Sequence, residues 1–191
     1  MPHLGLLLVV AVLAGCATYE SFEPPPLDYS DRTPLRFAVD SVAVQSAYTS
    51  PGRPPYVEHT LILSPEEALW RLLEQRLEAA GGAGRLQAVI VDASVEDETL
   101  ETETGVRGWL TTQPAARLTS RIKVRVDRLD DAGMVTRSVT TAATRSRSVP
   151  EGATFVDRQR IAYELVRELV DDLDAALGAG LHESFGELIV S

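Results

Sequence analysis

The stretch from Ser64 to Gly82, SPEEALWRLLEQRLEAAGG, constrains the fold most, because of what flanks it. Ser64 reads as a helix N-cap, Pro65 takes the first helical position, and Glu67 can close a capping box. Leu69, Leu72, Leu73 and Leu77 recur at helical spacing and form one apolar stripe. Gly81-Gly82 reads as the stop. Upstream, residues 35–44, LRFAVDSVAV, alternate as a strand. Leu35, Phe37 and Val39 share one face and Val42 and Val44 take the other parity, which predicts a bulge near Ser41. Downstream, residues 86–95, LQAVIVDASV, form the near-continuous apolar run of a central strand. Strand, helix and strand in that order predict a right-handed parallel crossover.

The remaining pattern is antiparallel. Residues 96–116 read as a long acidic connection. Residues 117–129, RLTSRIKVRVDRL, then alternate strictly. Leu118, Ile122, Val124 and Val126 point one way, and Arg117, Arg121, Lys123 and Arg125 point the other. Asp130 to Gly133 reads as a hairpin turn, and residues 134–147 as a strand poor in apolar residues, hence an edge. A second helix is predicted over 155–177, with Ile161, Leu165, Leu169, Leu173 and Leu177 as its stripe and Gly178 and Gly180 as its stop. The segment ELIVS after it fits either a docked edge strand or a loose end. The expected fold is α+β, a two-layer sandwich of order β-α-β-β-β-α. Its two helices pack on one face of a four-stranded mixed sheet.

The first residues address location. Leu4 to Leu13 is apolar apart from Gly5. At about 1.5 Å per residue such a run makes about 15 Å of helix, half of what a membrane span needs, and suits the apolar core of a signal peptide. It leads into Leu13-Ala14-Gly15-Cys16, which resembles the bacterial lipobox. That resemblance implies cleavage before Cys16, a diacylglycerol on its thiol and acylation of its new amine, with several acyl chains making a stable anchor. Ala17 in place of Asp implies, again by resemblance, an outer-membrane address on the periplasmic face. Residues 1–15 are thus expected as signal peptide and 16–34 as the lipidated cysteine with a proline-rich tether. Residues 35–191 are expected as a single α+β periplasmic domain. Pro24-Pro25-Pro26 favours polyproline II, and the tether could reach roughly 60 Å if fully extended.

The chain carries a net charge of −10 and one cysteine. The acidic balance argues against nucleic acid as a partner and against free adsorption to an anionic surface. With no second cysteine, packing alone must support the fold. Few residues offer chemistry. His59 and His182 lack the convergent ligands or spacing of a metal or acid–base site, and no G-x-S-x-G or phosphate-cradling glycine loop occurs. No catalytic residue, metal or cofactor is expected. The acidic run DASVEDETLETE reads as a solvated face and lacks calcium-loop spacing. Two features suit binding. The row Arg117, Arg121, Lys123 and Arg125 could hold lipid phosphates or an acidic partner. Within GVRGWLTTQP, Trp109 and Leu110 sit between Gly105, Gly108 and the strand, and could present an apolar anchor.

A lipobox, a proline-rich tether and a small β-α-β-β-β-α domain together resemble the auxiliary lipoproteins of bacterial envelope transport systems. These include PqiC-like subunits of lipid-transporting ABC machines and YajG-like lipoproteins and, more distantly, LptE. The resemblance covers nearly the whole chain as element order, and Cys16 is the one residue it assigns. It implies a non-enzymatic accessory of envelope transport or assembly, held to the membrane by lipid and bound to an envelope protein or a lipid. The rival readings are a carrier with an acyl pocket between sheet and helices, and a periplasmic hydrolase built around His59 or His182.

Overall fold

The structure is a computed structural model that describes residues 21–100 and 114–190. Cys16, Trp109 and Leu110 lie outside the described residues. The strands are β1 (Leu35–Phe37), β2 (Ser41–Ser46), β3 (Leu77–Ala79), β4 (Arg85–Thr99), β5 (Pro114–Leu129), β6 (Val135–Pro150) and β7 (Ile189–Val190). The helices are α1 (Pro65–Arg76) and α2 (Phe155–Phe185). A mixed sheet of order β2-β4-β5-β6 carries both helices on one face, and a small sheet of order β3-β1-β7 closes one flank. β2 and β4 are parallel, as the crossover requires, and β4, β5 and β6 are antiparallel. Leu69, Leu72, Leu73, Leu86, Ile90, Ile122, Leu165, Leu169, Leu173 and Leu177 fill the layer between sheet and helices. An acyl chain there would have to displace them.

The expected α+β sandwich is present, and several boundaries differ for identifiable reasons. The strand expected over 35–44 is two strands in two sheets, with a break at residues 38–40 instead of a bulge. There the Asp40 N–H donates to the Gly84 carbonyl at 2.8 Å. Gly81-Gly82 does not stop α1. The helix ends at Arg76, and Leu77–Ala79 pairs with β1 in parallel. Gly82 instead lets the chain cross the break: a Cβ there would lie 2.5 Å from the Ala38 carbonyl oxygen, at φ +146°. Ser64 caps α1 as expected, accepting from the Glu67 N–H at 3.1 Å. Glu67's own carboxylate turns outward to Arg71 Nη2, at 2.7 Å. The reciprocal capping box occurs at α2, between Thr154 and Asp157.

α2 also runs past its expected stop, through Gly178 and Gly180 to Phe185. A Cβ on Gly180 would sit 3.4 Å from Val139 Cγ2 and 3.7 Å from Thr141 Oγ1. The glycine thus serves close helix–sheet approach. His182 consequently lies inside α2, its Nδ1 2.8 Å from the Gly178 carbonyl oxygen. β6 is an edge strand, as its composition predicts, and β7 docks antiparallel on β1, the first of the two readings of that segment.

Residues 22–33 are laid along the helices rather than extended away from them. The Phe22 and Tyr163 rings meet edge-on at 5.7 Å, and the Tyr163 hydroxyl donates to the Pro25 carbonyl at 2.8 Å. The Tyr29 N–H donates to Gln75 Oε1 at 2.8 Å. Arg32 bridges Asp171 at 2.5 Å and Asp174 at 2.7 Å, and Arg76 reaches Asp174 at 2.9 Å and the Thr33 carbonyl. Polyproline backbone makes no internal hydrogen bonds, so this strap takes its partners from α1 and α2.

Candidate interaction surface

The sheet face away from the helices is uncovered by any other described element and is built from three rows. On β5, strict alternation buries Leu118, Ile122, Val124 and Val126 and leaves Arg117, Arg121, Lys123 and Arg125 on the open side. The register sets Glu98 opposite Arg117, Ser94 opposite Arg121 and Asp92 opposite Lys123 on β4. On the other side stand Ser148, Thr144, Ala142 and Thr140 of β6, small residues that leave the basic row standing proud.

The row is therefore two-signed rather than purely basic. Arg121 Nη1 lies 2.7 Å from Glu96 Oε1, and Arg117 lies 4.0 Å from Glu98. The hydrogen bond to Glu96 raises the Arg121 pKa, so the guanidinium stays charged. Arg125 Nε lies 2.8 Å from Asp127 Oδ2, and Ser138 Oγ donates to the other oxygen of this buried carboxylate at 2.6 Å. Residues 96–99, expected in a loop, are strand: Glu96 and Glu98 meet these cations on the open face, and Asp97 on the other face pairs with Arg158 of α2.

The second basic set, Arg137, Arg145 and Arg147, projects to the helix side of β6. Arg145 and Arg147 share Glu168, and reach Asp172 and Glu164 respectively. Arg137 pairs with Glu187 at 2.7 Å. These residues fasten α2 along the edge strand. The Arg147 hydrogen bond, foremost, holds the Glu168 carboxyl below its usual range.

One buried acid carried no signal in the sequence. Glu58 is in a 3₁₀ turn, Glu58–Thr60, after the proline loop. Tyr48 Oη donates to its Oε1 at 2.7 Å, Ser50 Oγ donates to the same oxygen, and the Val95 N–H donates to Oε2 at 3.2 Å. Burial pushes its pKa up, but the donors from Ser50, Tyr48 and the backbone outweigh this and hold it below the ordinary value. The carboxylate is fully occupied pinning the loop to β4. His59 beside it is exposed, and His182 belongs to the far half of α2, so topology does not bring the two histidines together. Among the described residues no group of three or more His, Cys, Asp or Glu could hold a metal ion. No helix among them is long and apolar enough to cross a membrane.

No family model matches the chain, and no curated protein does. Among solved structures it is similar to a minor lipoprotein from Acinetobacter baumannii, at 16% identity and a TM-score of 0.42 over 83% of this chain and 98% of that one. It is also similar to the rare lipoprotein B from Shewanella oneidensis, at 12% identity and a TM-score of 0.39 over 73% of this chain and 92% of that one. Both scores fall below 0.5, so the likeness carries no residue or role of theirs onto this chain.

Proposed function

We propose that this chain is an outer-membrane lipoprotein, acylated at Cys16 and facing the periplasm. In this reading it works as a non-enzymatic accessory subunit that binds an envelope protein during transport or assembly. The observation that carries the binding role is the open sheet face, where Arg117, Arg121, Lys123 and Arg125 stand in one row beside Glu98, Glu96 and Asp92. A patterned two-signed surface favours one partner and register over others. The lipobox carries the anchoring role. The buried carboxylates Glu58, Asp127 and Asp174 are each engaged by structural donors, which favours binding over acid–base catalysis.

The test is isolation of the acylated protein from membranes, with identification of the proteins that accompany it. Metabolic labelling with a fatty acid should mark the wild type and leave Cys16→Ala unlabelled, as an uncleaved or mislocalised precursor. Label on Cys16→Ala would remove the anchor from this reading. Hydrolase activity in the purified wild type would replace the binding role.

A further inference from the structure

Both helices begin at the same end of the molecule. The Ile62 N–H, three residues before α1, donates to Gln159 Oε1 at 2.8 Å, and Gln159 Nε2 returns a bond to the Thr60 carbonyl at 3.1 Å. At the other end of the pair, Arg76 in the last turn of α1 meets Asp174. α1 and the first two-thirds of α2 therefore run side by side in the same direction. β6 ends at Pro150, opposite Pro114, just before α2 starts, so these strand ends lie at that end too. The β5–β6 turn, with Met134, is at the opposite end of the strands.

The strap gives this end a direction. Arg32 bonds residues 171 and 174, Pro25 bonds Tyr163, and Phe22 lies against Tyr163 with Arg160 5.6 Å from its ring centre. Read backwards from Arg32 to Phe22, the described chain travels toward the start of α2. Phe22 lies only six positions after Cys16. At about 3.3 Å per residue they reach at most about 20 Å. The same end carries Phe155, 72% exposed, on the first residue of α2, and Ile62, 45% exposed. The Phe155 side chain has no covering partner among the described residues, and acylation at Cys16 would hold this end within reach of lipid.

We propose that the end formed by the first turn of α2 and the turn before α1 docks on the lipid surface, with Phe155 and Ile62 entering the headgroup region. The open sheet face then stands roughly along the membrane normal and stays free for its partner. The inference rests on acylation of Cys16. It goes beyond anchoring because a flexible leash would leave orientation unset, whereas a strapped one selects an end. The energetic logic is that of an interfacial side chain added to a lipid anchor: each buried apolar group adds to binding that the acyl chains already secure.

The full-length acylated protein, reconstituted in vesicles of phosphatidylethanolamine and phosphatidylglycerol, provides the test. Cys16 is the one native cysteine and in the lipidated protein its thiol carries the diacylglycerol, so Phe155→Cys and Met134→Cys each give a single labelling site for a fluorophore. Flotation reads anchoring, and quenching by brominated lipid reads contact with the bilayer. The expected result is flotation of both variants, with quenching at position 155 at least threefold that at position 134. Met134 is 66% exposed, which makes it a fair control for exposure. Equal quenching, or more at position 134, in protein that floats would overturn the docking while leaving the anchor intact. Protein that is not acylated and does not float would overturn both. Phe155→Asp provides a second readout: circular dichroism and melting should match the wild type, and quenching at a Cys placed at position 62 should fall severalfold. Unchanged quenching there would also count against the proposal.

Discussion

At the residue scale, Glu58 shows how a loop is held by one carboxylate. Its folded pKa is depressed, so its contribution is fully present above the unfolded value, near pH 4.3, and is lost as the pH falls through the lower folded value. Glu58→Gln removes the charge and mismatches at least one donor. It should lower the melting temperature by about 5 °C at pH 7, on the scale of one or two kcal/mol for a broken buried network. The gap to the wild type should narrow in calorimetric scans below about pH 4, where the wild type is itself protonated. A gap that stays constant from pH 7 to pH 3.5 would show that lost shape, not lost charge, causes the effect. Nothing in the local sequence announces this role. Glu58-His59 follows four prolines and glycines, and its meaning depends on Tyr48, Ser50 and Val95, brought to it by the fold.

At the element scale, periodicity revealed what burial controls and concealed what close approach controls. The inward rows of β5 and α2 were legible because each is a one-sided apolar pattern, and they are buried as expected except for half-buried Ile161. The ends of α1 and α2 were not, because glycine reads locally as a stop. Gly82 and Gly180 are instead explained by Ala38 and Val139, each more than 40 positions away in sequence. The strap was illegible for a similar reason. Prolines and acids set its local character, while Phe22, Leu27 and Tyr29, spaced irregularly, decide where it lies. Tyr29 is the most buried of the three, and burial pushes its phenol up to about 12. Replacing Phe22, Leu27 and Tyr29 together by Ala should therefore cost roughly 4–6 kcal/mol and lower the melting temperature by ten degrees or more. A melting temperature within two degrees of wild type would mean that residues 22–33 do not contribute to the fold.

At the scale of the whole molecule, a strongly acidic chain displays a row of four cations on one uncovered sheet face. The row itself could be read from sequence, but its pairing with Glu96 and Glu98 could not, because that depends on register. Register also decides which residues can be altered safely. Arg125 neutralises buried Asp127, so the informative variant is Arg121→Gln with Lys123→Gln. Both side chains are solvent-facing, and their loss should shift stability by about 1 kcal/mol or less. Binding of the co-purifying partner should weaken severalfold, and raised salt should have the same effect on the wild type, because exposed charges are screened. Full binding in both conditions would assign the row to solubility alone. The small sheet has a different bearing, on timing. Its middle strand β1, residues 35–37, is flanked by residues 77–79 and 189–190. In the lipoprotein reading proposed above, a chain delivered N-terminus first through a translocation pore would leave that sheet incomplete until residue 190 had emerged. On that reading, the pairing of residues 189–190 with 36–37 would be the last contact of the fold to close.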